Sequence, residues 1–351
     1  MHPHVVNLIE NLKHRHQGIV ASCKTQEYRD IISDGEGYSL VKNTCAMHRD
    51  AQEQIKNVIN YNGSKIFEEV FENIISDKQN FKHPACWALF WAITEAEHET
   101  AKLYEMDTHE PELNGALISQ IASCVPKFIA YSRAVSTEGF KECVIVDVFN
   151  LATKGNEART GADMGVIIDQ RRGNNRVVFP ALFQAKRAHE RTVDVYRKAG
   201  VTSTQLEQLL LSGIGNYLFY NEFDKATFPP TAMSAELVDK FYNKGHSVWP
   251  LFSSNGFAAT IAFGLALGEI VGTVRCHSPE DALLKIYNPD IKDIDPGFPL
   301  VCVLNDREFT FDERVDIENE WRDLVNEAKE DLKNGVKPFS GRGGSIPGLG
   351  S

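Results

Sequence analysis

Two apolar runs, Met164 to Ile168 and Val177 to Phe183, flank the polar segment Arg171-Arg172-Gly173-Asn174-Asn175-Arg176, and this arrangement constrains the fold more than any other stretch of the chain. Both runs have strand length, and glycine and asparagine tolerate the positive φ angles of a tight turn, so the segment predicts a β-hairpin. Side chains alternate between the two faces of a strand. Gln184 and Lys186 therefore share a face and Ala185 takes the other, while Asp163 falls at the same end of the sheet. Pro180 interrupts the second run. It has no N–H for a ladder, so this strand is expected to carry a bulge or to begin properly at Ala181.

The polar groups at that end suggest a chemistry. Asp163, the Gln184 side-chain oxygen and the Ala185 carbonyl would offer hard oxygen ligands to Mg²⁺ or Mn²⁺. Lys186 would orient or deprotonate an attacking water and offset charge on a phosphorus. Glu157-x-x-Thr160-Gly161-Ala162-Asp163, followed by Phe183-Gln184-Ala185-Lys186-Arg187, resembles the PD-(D/E)xK, or restriction-endonuclease-like, nuclease superfamily. The resemblance is to its Mrr-like variant, in which Gln replaces the acidic residue before xK, and more narrowly to nuclease modules of bacterial antiphage effectors. It implies an α/β fold with a mixed-sheet core in the order α-β-β-β-α-β, spanning about residues 110 to 220. It also implies a further glutamate. Glu112 opens an apolar-periodic stretch running to Ala130, and Glu157 lies just before the Asp163 strand. Either would complete the metal site, and each has a plainer reading: a favourable acid in a helix's first turn for Glu112, a solvated loop carboxylate for Glu157. A neutral Gln184 lowers the negative charge of the site and weakens metal binding without substrate.

With a formal charge of −11, the chain offers no general surface for a polyanion, so any phosphate footprint is local. Between Arg171 and Lys198 eight basic residues meet only two acids, Glu190 and Asp194. Arg171, Arg172, Arg176, Arg187 and Arg191 of this window are the candidate DNA contacts; the alternative is a set of solvated turn and helix residues.

The chain's 351 residues are 42% apolar and 24% charged, which suits one large or two modest soluble domains. Seven cysteines without a CxxC point to free thiols in a reducing, cytoplasmic setting, and the N-terminus has no secretory pattern. Gly256 to Gly272 is too short and glycine-rich for a membrane span and reads as a buried helix. Three regions are expected: periodicity gives a mainly helical N-terminal subdomain over 1–135, the resemblance implies a nuclease-like core with C-terminal elaborations over 136–335, and composition gives a flexible Gly-rich tail over 336–351. Within the first, Phe81, Trp87, Phe90 and Trp91 read as core. In the second, strands are expected at Cys143 to Phe149, Tyr217 to Tyr220 and Phe298 to Leu304. Helices are expected over Thr204 to Leu211 and Asp312 to Leu332, the latter packing on the body through Ile317, Trp321, Leu324, Ala328 and Leu332.

Weaker signals point nowhere. His14, His16 and His98 read as surface residues, and Cys276-His277 are sequence neighbours whose side chains diverge. Gly213-Ile214-Gly215 precedes a strand rather than a helix, so no nucleotide motor is expected. The function expected from residues and resemblance is a Mg²⁺-dependent endonuclease on DNA. The resemblance adds a role as a defence effector, activated by a partner protein or by self-association, with no membrane involved. An RNase, or an inactive scaffold on the nuclease fold, is the alternative.

Overall fold

The structure, a computed structural model, describes residues 2–11, 48–51, 53–54, 76–81, 84–106, 108–134, 145–150, 163–173, 175–188, 192–195, 198–199, 203–223, 226–242, 248–250, 274–290, 297, 299–305 and 307–341. Its central sheet is built from β1 (Ile145–Asn150), β2 (Asp163–Arg172), β3 (Asn175–Ala188), β4 (Gly215–Phe223), β5 (Ala226–Ser234) and β6 (Leu300–Asn305). The long helices around it are α1 (Pro84–Ala101), α2 (Glu110–Ala134), α3 (Gln205–Ser212), α4 (Ala235–Tyr242), α5 (Pro279–Ile286) and α6 (Phe311–Lys333). The class is mixed α/β.

β2 and β3 form the expected hairpin, turning after Arg172 with Gly173 at a left-handed φ of 54°. The pairing runs unbroken from Arg172↔Asn175 to Asp163↔Gln184. Pro180 therefore makes no bulge and does not delay the strand, contrary to expectation. The reason is the side of the strand it faces. The Val178 N–H bonds to the Cys276 carbonyl at 2.9 Å and the Leu182 N–H to the Ile214 carbonyl at 3.0 Å, so even-numbered residues of β3 direct their N–H groups away from β2. Pro180 lies between these bonds, before β4 begins its pairing at Leu182↔Gly215, where no ladder donor is called for. The sheet's register shift lies instead between Phe219 and Asn221 of β4, opposite the Pro229-Pro230 stretch of the edge strand β5.

The strand order is β1-β6-β2-β3-β4-β5. β6 lies antiparallel to β1 and parallel to β2, and β4 parallel to β3, with α3 in the β3–β4 crossover. Chain neighbours β1 and β2 are thus separated by a strand from near the C-terminus. One face of the sheet, with Val166, Ile168, Phe179, Phe183 and Leu218, packs on α1 and α2. The other, with Ile167, Val178, Leu182, Phe219 and Val303, packs on α3, α5 and α6. α1 is buried nearly throughout, apolar on every side in its first half and polar in its second, which is why Trp87, Phe90 and Trp91 are core residues and why His98, expected at the surface, is buried. α1 and α2 share this core with the sheet rather than with each other alone.

Local signals place the other helices. Thr204 and Glu207 form a capping box at α3, which ends at Gly213 with φ 66°. Gly215 follows so closely that a Cβ there would lie 2.4 Å from the Leu209 carbonyl oxygen. Thr310 and Glu313 cap α6, whose Ile317, Trp321, Leu324 and Ala328 pack on the body as expected. Glu157, Arg191, His14, His16, residues 256–272 and the tail beyond 341, all given expectations above, lie outside the described residues. Among the described residues no helix is long and apolar enough to cross a membrane.

Candidate functional site

The hairpin brings position 163 directly opposite Gln184, and the direction of the Leu182 N–H makes theirs a pair without mutual hydrogen bonds. Such pairs are the close ones, roughly 4.5 Å between α-carbons. Both positions lie on the face that carries Ile167 and Leu182, toward α3. Lys186 follows on the same face, and its Nζ donates to the Gln205 side-chain oxygen at the start of α3. Gln184 and Lys186 are only 3% and 6% exposed, unusual for an amide and an ammonium at a strand end.

The Gln184 amide carries the clearest imbalance. Its Nε2 donates to the Ala185 carbonyl at 3.3 Å, while its Oε1 is buried with no hydrogen-bond partner. Reversing the amide would set two oxygens against each other, so this orientation is the one the surroundings select. A buried acceptor without a donor costs about 1–3 kcal/mol, a debt that a cation at this position would remove. The Ala185 carbonyl projects toward the β2 edge, one residue past the last described pair of the hairpin. An orphaned amide oxygen, a backbone carbonyl and an aspartate position are hard oxygen donors and fit Mg²⁺ or Mn²⁺. Among the described residues no three His, Cys, Asp or Glu side chains gather to hold a metal; Glu157 lies outside them.

Glu112 is not brought to this face. It is exposed in the first turn of α2, where its carboxylate accepts the His109 backbone N–H. Its neighbour Glu110 instead reaches the end of β3, accepting the Arg187 N–H at 2.6 Å. Arg187 is held there: its guanidinium donates to the Thr108 carbonyl and to the Tyr104 carbonyl.

The basic window divides. Arg171 and Arg176 occupy the turn end of the hairpin, eight residues along β2 from position 163, about 26 Å at strand rise. There they enclose Asp169, which is wholly buried. Asp169 accepts from Arg171 at 3.0 and 2.8 Å, from Arg176 at 2.9 and 2.7 Å, and from the Trp321 indole at 3.2 Å. Glu320 bridges both arginines at 3.0 and 2.6 Å, and the Arg176 guanidinium lies 5.5 Å from the Trp321 ring centre. These two side chains join hairpin to α6. They are neither solvated turn residues nor, at that distance, part of a phosphate track beside Lys186. Arg172 ends β2 at the same turn.

Gln205 and Glu110 escaped the sequence reading. The Thr204-x-x-Glu207 cap was a signal for Gln205, since it puts that residue at the first helical position facing the end of β3; nothing local marks Glu110. Cys276 is buried and bonded by its backbone to Val178, and burial pushes its thiol up against the opposing pull of Lys285. The other described cysteines, Cys86, Cys124 and Cys302, are likewise buried and in no disulfide, with the Cys124 and Cys302 thiols pushed up to about 12, chiefly by burial. No protein-family model, no curated protein and no solved structure matches the chain.

Proposed function

We propose that the chain is a metal-dependent endonuclease that hydrolyses DNA phosphodiesters at the Asp163, Gln184, Lys186 end of the hairpin. The observation that carries the reading is the buried, donorless Gln184 Oε1, opposite position 163 and two residues before a buried lysine on one face. The chain order α2-β1-β2-β3-α3-β4 is also the order expected of a restriction-endonuclease-like core. Asp163, Gln184 Oε1 and the Ala185 carbonyl would hold Mg²⁺, with Glu157 a further ligand. Bound there, the ion would polarise a phosphoryl oxygen and acidify a water. Lys186 does the rest of the work in the protein's own chemistry. Its ammonium, steadied by Gln205, donates to a non-bridging phosphate oxygen, orients the attacking water and offsets the charge that grows on the phosphorane.

The role as an antiphage effector, switched on by a partner or by clustering of copies, rests on the resemblance of the Glu157 to Lys186 stretch alone. The test is plasmid cleavage by wild type, Asp163→Ala and Lys186→Ala in Mg²⁺, Mn²⁺ and EDTA. Cutting that needs metal and falls by at least about 100-fold in both variants supports the reading. Cutting of RNA alone would reassign the substrate. A phenotype that survives both substitutions would mark a scaffold.

A further inference from the structure

β3 outruns one of its partners. Asp163, where β2 starts, faces Gln184, and among the described residues no strand lies along that edge of β3 beyond it. On the other edge the pairing with β4 continues through Lys186↔Phe219 to Ala188↔Asn221. Even-numbered residues of β3 direct their N–H groups toward β4, so the Arg187 N–H points to the edge that β2 leaves. A backbone donor there needs an acceptor. The Glu110 carboxylate is that acceptor at 2.6 Å, so a side chain from the first turn of α2 stands where a strand carbonyl would.

The Arg187 side chain is fastened as well. It follows Phe183 and Ala185 on the sheet face that packs on α1 and α2. Its guanidinium donates to the Thr108 carbonyl and, at 3.3 Å, to the Tyr104 carbonyl, both in the link between α1 and α2. That link is braced within itself: the Leu103 carbonyl accepts the Met106 N–H at 3.0 Å and the Thr108 hydroxyl at 3.2 Å. One helical turn after Glu110, Asn114 accepts from the buried Tyr220 hydroxyl, and Tyr220 is the β4 residue paired with Arg187. The start of α2 and the link before it therefore hold the ends of both strands.

Lys186 sits between these ties: Arg187 follows it in the strand, and its own Nζ donates to Gln205 on the opposite face. We propose, on the nuclease reading of Lys186, that Glu110 and Arg187 are positioning residues, which fix the end of β3 against α2 so that the Lys186 ammonium is held in place for phosphodiester cleavage. Arg187 acts through Lys186 and not on the phosphate, because its guanidinium lies on the other face of the sheet. Placement of this kind matters beyond the strength of the bonds that secure it, since an error of about 1 Å at a reacting group costs up to about 100-fold in rate.

The experiment compares full-length wild type, Glu110→Ala, Glu110→Gln and Arg187→Lys by two readouts. One is the kcat and KM of Mg²⁺-dependent DNA cleavage; the other is the NMR signal of the Lys186 ε-carbon in isotope-labelled protein, assigned by its loss in Lys186→Ala. Glu110→Ala lowers kcat by at least about tenfold and leaves KM within about twofold. Glu110→Gln, whose amide oxygen still accepts the Arg187 N–H, returns to within about threefold of wild type. Arg187→Lys keeps the charge but not the fork that spans two carbonyls, and it lowers kcat as Glu110→Ala does. The ε-carbon signal moves in Glu110→Ala and Arg187→Lys and returns in Glu110→Gln. Where Glu110→Ala does not fold, Arg187→Lys carries the test. A signal that stays in place in the folded variants overturns the proposal whatever the cleavage rate, and so does a raised KM at unchanged kcat in Arg187→Lys, which would make Arg187 a phosphate contact. A wild type that cuts nothing counts against the nuclease reading and not against this placement of Lys186, which the NMR signal then decides alone.

Discussion

Glu97 sits inside α1 with no solvent exposure, and neither of its carboxylate oxygens has a hydrogen-bond partner. Burial holds its carboxyl well above the ordinary 4.5. An acid with a raised native pKa favours folding while both states are protonated and loses that advantage as pH climbs past the unfolded value. Stability should therefore fall with rising pH from near 4.5 until the native pKa is reached, by about 1.4 kcal/mol per pH unit. Over the span to neutral pH this amounts to at most about 3.5 kcal/mol. Glu97→Gln keeps the shape and removes the titration. Urea unfolding of both proteins at several pH values between about 5 and 8 isolates the effect, because every other titrating group is common to the two. The variant should gain on the wild type as pH rises, and the pH at which the gain levels off reads out the native pKa of Glu97. A stability difference constant across that range would refute the reasoning, since it would mean that Glu97 is ionised in the fold and held by a partner.

Asp169→Ala strands two guanidinium groups and an indole N–H at the join of hairpin and α6, and should cost about 3–5 kcal/mol in chemical denaturation; a loss below about 1 kcal/mol would show the network to be dispensable. Gln184→Leu removes the orphaned acceptor, so stability should stay level or rise by about 1 kcal/mol while metal-dependent cutting disappears; marked destabilisation would reveal a structural role for the amide. Gly215→Ala drives a methyl into the Leu209 carbonyl and should cost about 1–3 kcal/mol, read as a lowered melting temperature, where an unchanged value would show that α3 yields freely.

Much of the hairpin was legible in the residues. Two apolar runs around a Gly-Asn turn specify the strands, alternation along them sets the shared face of Gln184 and Lys186, and register follows from the short turn at Gly173, because with both faces of the sheet buried apolar burial alone would not choose it. The helices α3 and α6 were legible in the same local way, and the structure adds the capping boxes at Thr204 and Thr310 where they start. β5 and α4 escaped, since Pro229-Pro230 breaks the strand pattern and an edge strand tolerates what a central one does not. Pro180 misled for the same reason in reverse: the strand was central, but the proline faced a gap in its ladder.

Sequence by itself determined the two hairpin strands, α3 and α6, and which of their side chains share a face, because those properties repeat every two or 3.6 residues and need no distant partner. Tertiary structure decided the rest. It set β6 between β1 and β2, and it took Arg171 and Arg176 away from phosphate by giving them Asp169 and, from 144 and more residues along the chain, Glu320. It also turned Glu110 rather than Glu112 toward the end of β3. Strand order and the partner of a charge depend on residues far apart in the chain, and no local pattern encodes who that neighbour is.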